Sequence, residues 1–466
     1  MKRRDFFTNS SLTLLGASLL SPKNLLAANP LSSRKEKTAK NIIFLVSDGM
    51  STGTLNMASL LLQRKVGRQS NWIKLYQENK GRRALMDTSS SNALVTDSAA
   101  GSSAWGGGIK VPNGSLNVNA DGSFNKPILQ KFKEAGKTVG CVTTVSITHA
   151  TPAGFCVNNK SRGDEYEIAG QYLDLKFDVM MGGGRQFFSK ENRKDKVDLL
   201  QKFGQAGYQL PQNRDQMLAL DVNSRKPVLG LFSENGLPYS LDAAQDTTLQ
   251  KNVPTLAEMT KKTISILSQN NKGFVMQVEG GKVDWAAHAN DAAGLLYDQI
   301  AFDDAVKVAL DFAENDKETL VIMTTDHGNG NPGLFGNDLH FDRIQHFKQT
   351  NDWILNGINS KFTSSQVVER IEAAQGYAIK KAEAELLLNS YVKHDGDGLY
   401  NPLKLPFKQL GLIQSDYISV NFASMDHSGD YVELAMFGPG SELLKPFVKN
   451  TDLHLLMLNA AGIGNI

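Results

Sequence analysis

At 466 residues the chain can bury one large core or two modest ones. Its 50 lysines and arginines nearly balance 48 aspartates and glutamates, giving a net charge of +2. With no basic stripe interleaved with aromatics, a nucleic-acid-binding surface is not predicted. Cys141 and Cys156 are the only cysteines, too few for a disulfide framework. They read as small buried apolar residues, between which at most one bridge can form.

The chain opens on Lys2-Arg3-Arg4-Asp5-Phe6-Phe7, a weakly apolar stretch from Leu12 to Leu20, and small residues at Ala27-Ala28. Residues 1–28 resemble a twin-arginine signal and predict export of a folded protein to the periplasm or medium. The apolar stretch is far too short to span a bilayer, so no transmembrane anchor is predicted. Residues 29–40 read as a polar linker.

Asn41 to Val46 is an apolar, β-branched run that stops on Ser47-Asp48-Gly49. Asp97-Ser98 then precedes a run of small residues to Gly108, which suits a tightly packed helix with Ser98 at its start. There, free backbone N–H groups and the helix dipole favour an anion, although Asp-Ser is also a plain helix cap. Thr138 to Val145 reads as a strand and leads into His149-Ala150-Thr151-Pro152. The run from Phe274 ends abruptly in Glu279. Residues 284–304 have helical spacing, which sets Asp284 and His288 one turn apart on one face. Leu320 to Thr325 is a further apolar run, ending in Asp326-His327-Gly328. Met425-Asp426-His427-Ser428-Gly429 is a loop ahead of the apolar stretch Tyr431 to Phe437.

Apolar runs of this length, separated by helical stretches, predict buried parallel strands. The fold class is α/β: a mostly parallel central sheet sandwiched by helices. Open sheets of this kind bind ligands outside the carboxyl ends of their strands, so Asp48, Glu279 and Asp326 should gather along one edge. Converging acids repel one another without cations, and Asp/His pairs suit zinc. The remaining histidines, His340, His346, His394 and His454, lack such a setting and read as surface or core residues. Residues 330–424 separate His327 from His427, so they should loop out and back. The segments from Ser364 and from Tyr377 to Tyr391 have helical spacing, which predicts a helical cap or crown over the site rim. Its Phe335, Phe341, Arg343, Phe347 and Trp353 fit contact with substrate or a partner subunit, but packing within the cap's own core is the preferred reading.

These elements occur in the order found in the alkaline phosphatase family, which the chain resembles over residues 41 to about 330 and 424 to 460. The resemblance includes Val179-Met180-Met181-Gly182-Gly183-Gly184 and Asn450-Thr451-Asp452-Leu453. It implies a catalytic domain of residues 41–329 and 425–466, interrupted by the insertion 330–424. It implies one zinc on Asp284, His288 and His427, and a second on Asp48, Asp326 and His327 facing the nucleophile Ser98. Asp48 would also reach a magnesium bound by Thr151 and Glu279. Arg162 matches the phosphate-clamping arginine, with Asp97 positioned to orient it. His149 and Trp285 flank the metals where some relatives carry an acid and a lysine. Three divalent cations against four carboxylates and a serine alkoxide leave one positive charge, which Arg162 raises to two. That complements a phosphate monoester dianion.

The expected activity is therefore hydrolysis of small phosphomonoesters to inorganic phosphate through a phosphoserine. A phosphodiesterase of the same superfamily would not need the third metal, and a non-catalytic phosphate- or metal-binding protein would have no use for Ser98. A sulfatase is disfavoured because no Cys/Ser-x-Pro-x-Arg signature occurs. A homodimer is left open.

Overall fold

The computed structural model describes residues 38–391 and 405–464; the expected signal, 1–28, and most of the expected linker lie outside them. Seven strands run in chain order through the first part: β1 (Asn41–Val46), β2 (Arg82–Asp87), β3 (Thr138–Ser146), β4 (Val179–Gly183), β5 (Val228–Leu231), β6 (Phe274–Glu279) and β7 (Thr319–Thr324). Two short antiparallel ladders follow: β8 (Gly328–Asn329) pairs with β11 (His427–Ser428), and β9 (Gly333–Leu334) with β10 (Val420–Asn421). The chain then adds β12 (Val432–Phe437) and β13 (Phe447–Lys449).

Nine of these form one sheet in the order β13-β2-β12-β7-β1-β6-β3-β4-β5. From β7 to β5 every pairing is parallel, while β12 runs antiparallel to both its neighbours. The period of two along β1 explains the layers. Ile42, Phe44 and Val46 enter a core with Trp105 and Phe155, while Ile43 and Leu45 enter another with Met259 and Phe302. Both faces are thus covered, and β1, β6 and β7 are buried throughout. Val46 lies opposite both Glu279 and Thr324, so the three strands end level. Asp48, Glu279 and Asp326 consequently emerge at one sheet edge.

Two expected boundaries are corrected. Residues 284–304 form two helices, Lys282–His288 and Ala292–Asp316. Asn290 takes a left-handed φ of 47°, and the Asp291 side chain accepts from Gly294 N–H at 2.9 Å, starting a new helix there. Asp284 and His288 still share one helix. The helix expected from Tyr377 begins at Lys381; the Tyr377 hydroxyl instead donates to Gln375 Oε1 at 2.7 Å.

Within 330–424, helices cover Asn351–Asn356, Ser364–Gln375, Lys381–Tyr391 and Phe407–Ile418, while residues 392–404 lie outside those described. Their apolar faces close against the body: Ile354, Ile371 and Leu410 share a core with Met57, Leu61 and Leu296. Phe341 and Phe347 belong to that core, whereas Phe335 and Trp353 are exposed. Cys141 and Cys156 are buried free thiols with sulfurs 3.5 Å apart.

The helix Ser98–Gly107 packs closely on the helix Ala150–Cys156 because both carry small residues at the crossing. A Cβ on Gly106 would lie 2.0 Å from the Gly154 carbonyl oxygen. Gly106→Ala should therefore cost about 1–3 kcal/mol by overpacking and lower the thermal midpoint. Gly170, also helical, has no atom within 4 Å of an added Cβ, so Gly170→Ala should leave the midpoint unchanged or raise it. Thermal denaturation of the two variants checks the pair.

Candidate active site and metal centre

The β8–β11 ladder carries His427 across to the helix of Asp284 and His288. His288 Nδ1 lies 2.6 Å from the Met425 carbonyl oxygen, and His427 Nδ1 lies 2.9 Å from that of Thr96. A carbonyl only accepts, so each ring is assigned its proton on Nδ1. The two Nε2 atoms then face each other at 3.1 Å, with Asp284 oxygens at 3.4 and 3.5 Å. Asn329 Nδ2 donates to Asp284 Oδ1 at 2.7 Å and fixes the carboxylate. Two imidazole nitrogens and a carboxylate converging on one point make a candidate cation site.

A second convergence surrounds Ser98, whose Oγ is 3.2 Å from His327 Nε2. That nitrogen is also 3.2 Å from Asp326 Oδ2 and 3.6 Å from Asp48 Oδ1. Asp48, Asp326 and His327 are wholly buried. Ser98 opens its helix, and Asp97 caps it by accepting from Ala100 N–H at 2.9 Å. Asp284 also lies within ligating reach of Asp48 and His327, so it stands between the two convergences. Gly49 makes room for it: with φ of 68°, a Cβ there would sit 2.5 Å from Asp284 Oδ1.

The third convergence has Asp48 Oδ2 accepting from Thr151 Oγ1 at 3.1 Å, and Glu279 accepting from Thr143. His149 Nδ1 faces both acids, 4.0 Å from Asp48 and 3.9 Å from Glu279. Arg162 donates to Asp97 Oδ2 at 3.0 Å, and its Nη2 lies 3.1 Å from His149 Nε2. Sequence reasoning placed His149 beside this site; the structure sets its ring nitrogen among the candidate ligands. Trp285 stands edge-on to His149, ring centroids 6.3 Å apart.

The electrostatics are those of a site awaiting positive charge. Burial, then Asp326, Asp284 and Glu279, push the Asp48 carboxyl well up. Burial raises Glu279 to about 8. Burial also lowers His327 to about 4 and, with Arg162, His149 to about 3. Burial would raise Asp284, yet His288, His427 and His327 hold it well below the carboxylate range. His427 shows the reverse: burial would lower it, but Asp284 lifts it to about 9. Asp48 Oδ1, Glu279 Oε1, Asp326 Oδ2 and His149 Nδ1 are buried and lack any hydrogen-bond partner. Orphans are rare in folded proteins, and four in one site fit metal ligation.

The sequence reading missed Thr143, Asn329 and the carbonyls of Thr96 and Met425. Asn329 had a signal, two residues beyond His327; the others act through backbone or through strand pairing.

The alkaline phosphatase family model matches residues 39–463, the span 330–424 included. The chain belongs to the alkaline phosphatase family. Alkaline phosphatase 4 of Bacillus subtilis (strain 168) is 32% identical over 97% of each chain. The alkaline phosphatase of Escherichia coli (strain K12) is 32% identical over 92% of this chain and 88% of its own. The crystal structure of Thermus thermophilus alkaline phosphatase superposes with a TM-score of 0.85 at 29% identity, over 96% of both chains. Family and fold together make this alkaline phosphatase a metal-dependent enzyme of phosphomonoesterase type. No helix among its described residues is long and apolar enough to cross a membrane.

Metal ligands must be deprotonated. In the metal-free protein at pH 7.5, His427, at about 9, and Glu279, at about 8, hold protons that binding expels. Affinity for a divalent metal should therefore climb with pH and level off above about 9. Titration calorimetry in two buffers of unlike ionisation heat should show proton release; identical heats would contradict it.

Proposed function

We propose that this enzyme hydrolyses small phosphomonoesters through a covalent phosphoserine on Ser98. The observation that carries the reading is the Ser98 hydroxyl, at a capped helix N-terminus and 3.2 Å from His327, beside buried acids with unpaired oxygens. Asp284, His288 and His427 would hold one zinc; Asp48, Asp326 and His327 would hold the second. Asp48, Thr151 and Glu279 would hold magnesium, with His149 at its edge. A TAB5 alkaline phosphatase mutant, 25% identical to this chain, has magnesium bound in its M3 site. Bound divalent metals supply Lewis acidity and lower the pKa of a hydroxyl they touch.

The chain's own residues do the rest. Ser98 gives its proton to solvent water, its oxygen bonds to phosphorus as the bond from phosphorus to the ester oxygen breaks, and that oxygen takes a proton from water and leaves as an alcohol. Water then cleaves the phosphoserine, releasing inorganic phosphate and restoring the hydroxyl. Arg162, held by Asp97 and His149, presents its guanidinium fork to the phosphoryl oxygens. The Asp48, Glu279 and His149 cluster favours this over a diesterase, which would not need a third metal. A pure phosphate binder would leave Ser98 without a role. The twin-arginine-like start supports an enzyme that acts in the periplasm or medium, and assembly as a homodimer is open to it.

Ser98→Ala should lower kcat on an aryl phosphomonoester by about 10³-fold or more while leaving zinc content unchanged. Wild type quenched at acid pH should carry phosphate on Ser98, and an aryl diester should turn over far more slowly. Ordinary turnover by Ser98→Ala, or activity after exhaustive chelation, would overturn the reading.

A further inference from the structure

Beside the metal centre lies a cleft of about 580 Å³, within the range of about 300–1,000 Å³ common for small-molecule sites. One wall is the segment 235–239. It is fastened to the same sheet edge as the acids: Asn235 O accepts from Gly184 N–H, and Leu237 N–H donates to Thr144 O, both at 2.8 Å. The floor is Lys282 and Trp285, on the helix that carries Asp284 and His288. The far wall is the insertion helix Asn351–Asn356, with Asp352 and Trp353. Arg162, His149, Trp285 and the cleft follow one another in contact order, so the cleft adjoins the place expected to hold phosphate.

Its chemistry is unusual for an empty groove. Lys282 is only 7% exposed, yet its ammonium has no acceptor within hydrogen-bonding or ion-pairing distance among the described residues. It rests on ring faces instead, 3.6 Å from the Tyr239 centroid and 4.6 Å from that of Trp285. Asp352, Asp298, Asp242 and Asp291 balance its charge through space, which leaves its N–H donors free for an acceptor in the cleft. Across the cleft, the partly exposed Asp352 carboxylate accepts no hydrogen bond from a described side chain, and its charge acts on Lys282 through space. Trp353 is 37% exposed, and its ring is held by the Arg370 guanidinium 3.6 Å over it. Arg370 is itself fixed by donating to the Trp353 and Ile354 carbonyls.

We propose that this cleft is a leaving-group subsite for the base of a nucleoside monophosphate, gripped by the rings of Trp285 and Trp353 between the Lys282 donor and the Asp352 acceptor. A plain aryl group would satisfy the rings and leave both polar groups unpaired. A sugar would pair the polar groups and waste the rings. A nucleobase offers a flat π-face with acceptors and exocyclic donors on its edge, and so uses all four. The inference rests on the phosphomonoesterase reading.

The test compares adenosine 5′-phosphate with glycerol phosphate in wild type, Trp353→Ala, Trp353→Phe and Asp352→Ala, following phosphate release. Trp353→Ala should raise KM for the nucleotide about tenfold at unchanged kcat, and Trp353→Phe should restore most of it. Asp352→Ala should raise the same KM severalfold. Glycerol phosphate kinetics should be unchanged in all variants, which also reports that they fold. Equal effects on both substrates, or none on the nucleotide, would overturn the subsite. Adenosine, lacking phosphate, separates the two readings. Its base protons should show saturation-transfer NMR signals with wild type and lose them with Trp353→Ala. Absence of those signals in wild type overturns the subsite whatever the enzyme's activity. Adenosine binding without phosphate release would overturn the catalytic reading alone.

Discussion

Four buried carboxylates and four imidazole nitrogens face one another at the carboxyl edge of a single sheet, and the rest of the molecule exists to keep them there. Imidazole and carboxylate atoms stand 3–4 Å apart, and Asp326, Asp284 and Glu279 oppose the charge of Asp48 in a water-poor interior. The fold does not relieve this by pairing the groups with lysine or arginine. It leaves four ligand atoms without partners and accepts the strain in shifted protonation. On the proposed reading, divalent cations would turn that repulsion into binding energy, and the same unpaired atoms would become ligands.

Rigidity comes from several directions. Parallel strands β1, β6 and β7 end level and deliver three acids. Backbone carbonyls at 96 and 425 set the tautomers of His427 and His288, so ring orientation depends on main-chain position. Glycines bring the helix of Ser98 onto the helix of Thr151. Asp291 caps the helix Ala292–Asp316 and also accepts from the Asn351 amide at 2.7 Å, tying the insertion to the helix that follows His288. The insertion is therefore packed into the body's own core, and it also supplies one wall of the cleft beside Trp285.

The acids were legible in the sequence because each ends an apolar run, and wholly buried parallel strands leave that pattern plainly. Asp284 and His288 were legible through helical spacing. The break at Asn290-Asp291 was not, since the apolar rhythm continues across it; a residue tolerant of positive φ followed by a capping acid was the local clue. Pairing of β8 with β11 joins residues about a hundred positions apart, and nothing local announces it. The same holds for His149: its neighbourhood in sequence placed it near the metals, but only the fold aims Nδ1 at Asp48 and Glu279. Thr143 looked like any strand residue until Glu279 was set beside it.

The central claim is that this cluster is built around metal ions. Anomalous diffraction at the zinc edge, on crystals of the fully active enzyme, tests it most directly. The account predicts two strong peaks, one bounded by Asp284, His288 and His427 and the other by Asp48, Asp326 and His327 beside Ser98. A single peak, or none at these residues in active crystals, would contradict it.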